Sequence, residues 1–529
     1  MGSPAIPPLA RLARLFKPWG VHPEGRKQLT ADTSVALVPL PARLVLPLSQ
    51  HIGAPARPVV VAGERVLRHQ LIAEAQGAIS APLHAPTSGT IVGIAEVPVP
   101  HPSGLPGAAI LLEPDGADEA LPTVATDPFS LSGAEISRRV ADAGIVGLGG
   151  ATFPAAVKLG LGQRTPIPTL ILNGGECEPY LTCDDRLMRE RADQVVDGAR
   201  IILHAIGGRT ALIGVEDNKP EALAALAAAA ATSAADGPAI EVVAVPSRYP
   251  MGSEKQLVEW LTGHEIPAGG RPADLGVMVQ NVGTAAAIHR AIRYGEPLTR
   301  RIVTVSGGAV RTPRNVEARI GTPLAALLEF CGGLQDEAAR YVLGGPMMGL
   351  AVASLDIPVI KGSGGLLALV AGETGSTGAD DVSAGPCIRC AACVGACPIG
   401  LMPLEMAAHI RLGDLAASVA LGLKDCIGCG SCSYVCPSTI PLVHYFNHAK
   451  GELAAQDRAK MKQDAIKQLA EARSARMAQE AREKAEAAAR RKAERDKAKA
   501  EAAAKAAAAK PAAEPAAAAS SPAAAESPA

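Results

Sequence analysis

No stretch of this 529-residue chain is both long enough and apolar enough to cross a bilayer. A spanning helix needs about 20 consecutive, mostly apolar residues. The uncharged runs 222–235 and 341–355 fall short of that, and the first is mostly alanine. Charge of one sign is also missing. A formal net charge of −1 argues against a surface built to coat nucleic acid. No secretory signal is visible: Met1 to Gly20 carries Arg11, Arg14 and Lys17 but no apolar core followed by a cleavage site. No lysine occurs between Lys27 and Lys158, so nothing in that region can carry a lysine-linked cofactor. Scattered cysteine pairs of the kind that make a disulfide framework are absent too, which fits a reducing compartment. These absences leave a soluble protein, or one peripheral to a membrane. The chain is too long for one core, so several domains are expected.

What is present is concentrated in two cysteine runs, which hold eight of the eleven cysteines: Cys387-x2-Cys390-x2-Cys393-x3-Cys397-Pro398 and Cys426-x2-Cys429-x2-Cys432-x3-Cys436-Pro437. Three thiolates at three-residue intervals can wrap one part of a cubane, leaving its last iron to be held from elsewhere. In the bacterial two-cluster arrangement the fourth cysteine of each run serves the other run's cluster. This predicts one [4Fe-4S] cluster on Cys387, Cys390, Cys393 and Cys436, and a second on Cys426, Cys429, Cys432 and Cys397. Zinc is the competing reading, but four-cysteine zinc sites usually appear as two CxxC pairs. The remaining cysteines lack such spacing; Cys183 and Cys331 read as small apolar residues, and Cys177 lies in a loop described below.

In chain order, the texture changes several times. Residues 1–130 are rich in Pro, Gly and Val and read as short strands with turns. From 131 to 298, helical and strand patterns alternate as in an α/β domain. Ser132 with Glu135 forms a capping-box signature for a helix running to Gly144. There follows the glycine-rich stretch Gly147-Leu148-Gly149-Gly150, then Phe153-Pro154 and Lys158. Backbone N–H groups can approach an anion there. The apolar run Thr169–Leu172 reads as a buried strand and leads into Asn173-Gly174-Gly175-Glu176-Cys177-Glu178. Ligands of open α/β sheets bind beyond such strand ends. Residues 299–370 read as strand, turn and helix, and 371–386 as a linker opening the cysteine-bearing region 371–450. From Glu452 to Lys510 there are 16 basic and 10 acidic residues, so the tail 451–529 is expected to be solvated and partly helical.

Specific resemblances attach to these segments. Gly63–Ala73 followed by Ile79–Ile91 resembles the barrel-sandwich fold of lipoyl and biotinyl carriers, without the modified lysine. The glycine-rich stretch and the Asn173–Tyr180 loop resemble the flavin and NADH fingerprint of the FMN-binding subunit of respiratory complex I. Tyr249–Glu254 and Val279–Thr284 match two further segments of it in order. Ser253, Gln280 and Gly283 stand where that family has Glu, Asn and Glu. Arg301–Val310, Gly321–Leu324 and Leu343–Gly349 resemble the soluble-ligand-binding β-grasp module that follows the flavin domain there. The doubled cysteine run and the whole order of segments resemble the C subunit of the Rnf/Rsx electron-transport complex.

That resemblance implies a multidomain α/β and α+β protein. Its parts would be a barrel sandwich, a Rossmann-type flavin domain, a β-grasp module, a two-cluster ferredoxin-like domain and a tail. It implies non-covalent FMN held by Gly147, Gly149, Gly150, Lys158, Asn173 and Asn281, with Glu254 closing the pocket. Glu176 and Glu178 would orient NAD(H), the substrate; Phe153 and Tyr180, lone aromatics nearby, read either as stacking groups or as packing. It further implies a peripheral subunit on the cytoplasmic face of a bacterial inner membrane. Its partners would be the membrane subunits and a ferredoxin or flavodoxin, and electron flow would be coupled to Na⁺ or H⁺ translocation. Two alternatives are a relay or scaffold subunit with no NADH site, and a part in reducing a redox-sensing transcription regulator.

Overall fold

The computed structural model describes residues 19–232, 238–373 and 384–509. The signal-segment reading of 1–20 and the linker reading of 371–386 fall mostly outside those residues. The chain divides into two compact units, 1–450 and 451–529.

Within the first unit, strand β1 (Ala36–Leu37) precedes a sandwich of two small sheets. One has the order β2-β8-β7-β4, from β2 (Leu44–Pro47), β4 (Arg65–Val66), β7 (Gly89–Val97) and β8 (Gly107–Pro114). The other is β3-β5-β6, from β3 (Arg57–Pro58), β5 (Leu71–Glu74) and β6 (Leu83–His84). Leu44, Leu46, Val66, Ile72, Leu83, Ile91, Ile110 and Leu112 fill the space between them and are fully or almost fully buried. Such alternation of buried and exposed positions is what a one-faced antiparallel sheet requires.

The helix Gly133–Asp142 then begins at the capping box: the Glu135 amide donates to Ser132 Oγ at 3.3 Å and the Ser132 amide to Glu135 Oε2 at 2.9 Å. Beyond it lies an all-parallel sheet of order β11-β10-β9-β12, from β9 (Thr169–Gly174), β10 (Thr210–Glu216), β11 (Ala239–Val245) and β12 (Val277–Asn281). The buried run of β9 is covered on both faces. Leu170 and Leu172 pack toward the helices Ala192–Ile206 and Val282–Tyr294, and Ile171 packs toward Glu254–Thr262. That double coverage explains why the strand reads as continuously apolar. Strand order reverses between β9 and β12, so the topological switch point lies at their C-terminal ends.

A fourth sheet, β1-β14-β13-β17-β15-β16, adds to β1 the strands β13 (Arg300–Ser306), β14 (Arg314–Arg319), β15 (Arg340–Leu343), β16 (Leu350–Val352) and β17 (Gly365–Leu369). The helix Leu324–Phe330 packs on it through Leu324, Leu327 and Leu328. Its edge strand β1 comes from the N-terminal region and runs parallel to β14. Residues 19–38 thus lace the later modules together, a use their turn-rich composition does not announce.

Lys361 ties three modules at one point. Its ammonium, 1% exposed, donates to the carbonyls of Pro82 and Gly144 at 2.7 Å each. Short helices Ala392–Ala396, Pro403–Arg411, Leu415–Ala420 and Ser431–Tyr434 carry the cysteine runs. The helix Leu442–Ala508 buries only Leu442, Phe446 and Ala449, all before residue 450. In the second unit, residues 454–509 are exposed throughout, as the charge-rich composition requires.

Candidate functional site

The switch point brings together residues far apart in sequence. Asn173 and Asn281 end β9 and β12 and are register partners across the parallel pair. Asn281 caps the helix Val282–Tyr294, its Oδ1 accepting from the amides of Gly283 at 2.8 Å and Thr284 at 3.3 Å. Its Nδ2 donates to Asp184 Oδ2 at 2.7 Å. The glycine-rich loop arrives alongside: the Leu148 amide donates to Thr284 Oγ1 at 2.9 Å, and a Cβ on Gly149 would stand 3.3 Å from that of Asn281. Gly150 has φ +104° and nothing within 4 Å of a built Cβ, so this backbone is open on one side. Gly147 is held by its amide to Phe153 O at 2.8 Å. Lys158, on the helix Ala155–Gly162, reaches Val279 O and Glu254 Oε2, both at 3.1 Å. Asn173 Nδ2 donates to Gly252 O at 2.8 Å. There the chain segments touch closely, a Cβ on Gly175 meeting Gly252 Cα at 3.0 Å.

Glu176 and Glu178 sit on the next loop with their carboxylates committed to backbone amides. Glu176, 7% exposed, accepts from Asp184 at 2.9 Å and Asp185 at 3.3 Å, the start of the helix Cys183–Glu190. Carboxylates are favoured at such helix starts. Burial nevertheless raises its affinity for a proton, with Asp184 adding to the effect. Glu178 accepts from Met347 at 2.9 Å and Met348 at 2.8 Å, and desolvation pushes it up to about 7 against the pull of those amides. Lys27 fastens the same loop from outside, donating to the carbonyls of Glu176, Glu178 and Leu181 at 2.8, 2.9 and 2.6 Å. Tyr180 is 2% exposed and bonds Glu373 Oε1 at 2.9 Å, so it packs and has no free face for stacking. Phe153 is half-buried.

The cysteines fall into two groups. One cavity is lined by Cys387, Cys390, Cys393 and Cys436, and another by Cys397, Cys426, Cys429 and Cys432. Each set takes its fourth member from the other run. Among the described residues, no three such side chains converge closely enough to share a single metal ion. Each set offers four thiols around one cavity, the donor set that a [4Fe-4S] cluster takes. Amide donors already point at the second set: Leu401 to Cys397 Sγ at 3.3 Å and Gly428 to Cys426 Sγ at 3.4 Å. Hydrogen bonds to sulfur are among the levers on cluster potential. Cys387 and Cys390 are exposed, whereas Cys429 and Cys432 are buried.

The buried set abuts the flavin-type domain. Tyr249 Oη donates to Cys429 O at 2.7 Å, Gln256 Nε2 to Pro398 O at 3.2 Å, and the Gly20 amide to Ala396 O at 3.0 Å. Val21, Tyr249, Ala396 and Cys429 form one apolar cluster with Cys177 and Met347 against it. The Cys177 thiol is pushed up to about 12 by burial and accepts from the Gly252 amide at 3.3 Å.

The structure brings the expected glycine loop, both asparagines, Lys158 and Glu254 together at the strand ends, and the expected cysteines together in two sets. Asp184 and Lys27 were not singled out, and Gly252 and Thr284 were named only within longer matching segments. Thr284 had a usable signal, two residues into a helix beginning after a strand-end asparagine; Lys27 had none.

A doubly wound nucleotide-type sheet with a glycine loop at its switch point, followed by a β-grasp module and two four-cysteine sets, defines a flavin and iron–sulfur electron-transfer protein. The family models agree: "RnfC Barrel sandwich hybrid domain" matches residues 16–117, "Nuo51 FMN-binding domain" 140–290, "SLBB domain" 302–351 and "4Fe-4S dicluster domain" 386–440. The C subunit of the ion-translocating oxidoreductase complex of Rhodobacter capsulatus is 47% identical over 460 residues, covering 85% of this chain and 87% of that one. The C subunit of the proton-translocating ferredoxin:NAD(+) oxidoreductase complex of Clostridium ljungdahlii is 43% identical over 448 residues, covering 84% and 95%. This chain belongs to the family of C subunits of ion-translocating oxidoreductase complexes. Its cofactors are FMN and two [4Fe-4S] clusters. Among solved structures, an NAD⁺-reducing [NiFe]-hydrogenase aligns at 20% identity with a TM-score of 0.44, over 64% of this chain and 69% of its own; that likeness is too loose to argue from. Among the described residues, no helix is long and apolar enough to cross a membrane.

Proposed function

We propose that this protein exchanges electrons between NAD(H) and the rest of a membrane-bound complex, which couples that flow to translocation of Na⁺ or H⁺. NADH gives up two electrons as a hydride, whereas each cluster accepts one. Bound FMN supplies the conversion between the two. Gly147, Gly149, Gly150, Lys158, Asn173 and Asn281 hold it at the strand ends, and Glu254 closes the crevice through its ion pair with Lys158. Glu176 and Glu178 orient the nucleotide indirectly, by fixing the loop that carries them. Cys397, Cys426, Cys429 and Cys432 ligate the cluster next to the flavin. Cys387, Cys390, Cys393 and Cys436 ligate the outer one.

The observation that carries this reading is the order of burial. The second cysteine set packs on the 249–252 loop, whose Gly252 also bonds Asn173, while the first set has Cys387 and Cys390 at the surface. The inner set would thus hold the cluster nearer the flavin site, and the outer set, exposed at Cys387 and Cys390, would hold the one that hands electrons to a partner. The partners are the other subunits of the complex, with a ferredoxin or flavodoxin as exchange protein, on the cytoplasmic face of the inner membrane.

A second reading, a relay protein with no NADH site of its own, draws support from the engagement of both Glu176 and Glu178 with internal amides. An anaerobic count of FMN and iron with an NADH titration separates the two. Bound FMN bleached by NADH, followed by cluster reduction, is the expected result. Intact clusters without FMN, or FMN that NADH does not reduce, would sink the first reading in favour of the relay.

A further inference from the structure

We propose that the Tyr249 hydroxyl is a positioning group for electron transfer, fixing the inner cluster against the flavin-domain loop and setting that cluster's reduction potential through the carbonyl of Cys429. The inference rests on the cluster assignment and electron path given above.

Tyr249 is 3% exposed, and its hydroxyl lies 2.7 Å from Cys429 O, where both groups are buried. A buried phenol needs a partner. Here the partner is the backbone of a residue whose own sulfur belongs to the inner cysteine set. The side chain is launched from a fixed point, because Tyr249 exchanges both backbone hydrogen bonds with Val21, at 2.9 and 3.0 Å. Three residues on, Gly252 accepts from Asn173 Nδ2 at 2.8 Å and donates to Cys177 Sγ at 3.3 Å. One four-residue loop thus grips the strand end where FMN is assigned and a cysteine of the inner set.

Other contacts secure the same interface without ending on a ligating residue. Gln256 bonds Pro398 O at 3.2 Å, and Lys255 and the Gly269 amide reach Asp425 Oδ1 at 3.5 and 3.3 Å. Among the described residues, Tyr249 is the flavin-domain side chain that hydrogen-bonds a residue of either cysteine set. The positive end of its O–H dipole faces the ligand's carbonyl, in a site from which water is excluded. Reduction adds negative charge to the cluster, so this dipole favours the reduced form. Outer hydrogen bonds and burial are known levers on such potentials. The step served is the transfer of one electron from reduced flavin to oxidised cluster, with no bond made or broken.

The test is Tyr249→Phe in the full chain carrying its clusters, with an EPR-monitored titration by a chemical reductant. The ring and its packing remain, so FMN and iron contents are expected to stay unchanged. The midpoint of the inner cluster should fall while that of the outer cluster stays put, and reduction of the inner cluster by NADH should slow several-fold. Gln256→Ala loosens the same interface without touching a ligating residue, and its inner-cluster midpoint should match the wild type. An unchanged midpoint in Tyr249→Phe, or an equal shift in both variants, would overturn the proposal. Because the reductant bypasses NADH and flavin, the midpoint result stands even if the NADH reading fails.

Discussion

Replacing Cys397 with alanine tests the crossed grouping of the cysteines. Cys397 ends the first run, yet it lines the cavity shared by Cys426, Cys429 and Cys432, whereas Cys436 joins the first-run set. Two full clusters hold about eight irons per chain. Cys397→Ala strips one of four sulfurs from the inner set and leaves the outer set complete, so about four irons should remain. The informative measurement is which four. Cys429→Ala removes an inner-set ligand from the second run, and Cys390→Ala removes an outer-set ligand from the first. The reduced EPR signal surviving in Cys397→Ala should match the one surviving in Cys429→Ala. A match to Cys390→Ala would mean that each run feeds its own cluster, and the grouping would be refuted.

Two further outcomes follow from the site and its supports. Burial lowers the Lys361 ammonium to about 7, so between that pH and its ordinary 10.5 the unfolded chain binds a proton that the folded chain does not. Stability should therefore rise with pH across this window, by on the order of 5 kcal/mol at most. Lys361→Met should abolish that rise in urea midpoints taken at pH 7 and 9.5; a variant with the wild-type slope would contradict it. Asn281→Ala removes a helix cap worth about 1 kcal/mol and one of the groups assigned to FMN. Flavin content should fall while iron is retained, and undiminished flavin would take Asn281 out of the site.

The legible parts of the site share one property, that their meaning is local. The cysteine runs can be read because three ligands of each set lie within seven residues of sequence. Strand β9 can be read because burial on both faces leaves a continuous apolar run, and the capping box because its two members are three residues apart. For Tyr180 the sequence left stacking and packing both open, and burial with a bond to Glu373 decides for packing. Glu176 and Glu178 announced themselves as a carboxylate pair after a strand, but the sequence did not reveal that backbone amides already occupy them.

By itself, the sequence determined the module order, the two cluster motifs and the glycine loop and strand ends of the candidate site, because periodicity, glycine placement and ligand spacing act over a few residues. Tertiary structure alone decided how those pieces join. The pairing of Asn173 with Asn281 needed the sheet register. Lys27 and Lys361 act on carbonyls of residues more than 140 positions away, and every residue type offers the same carbonyl. The bond from Tyr249 to Cys429 likewise ends on backbone, so only the packing of one domain on another shows which cysteine set lies next to the flavin loop.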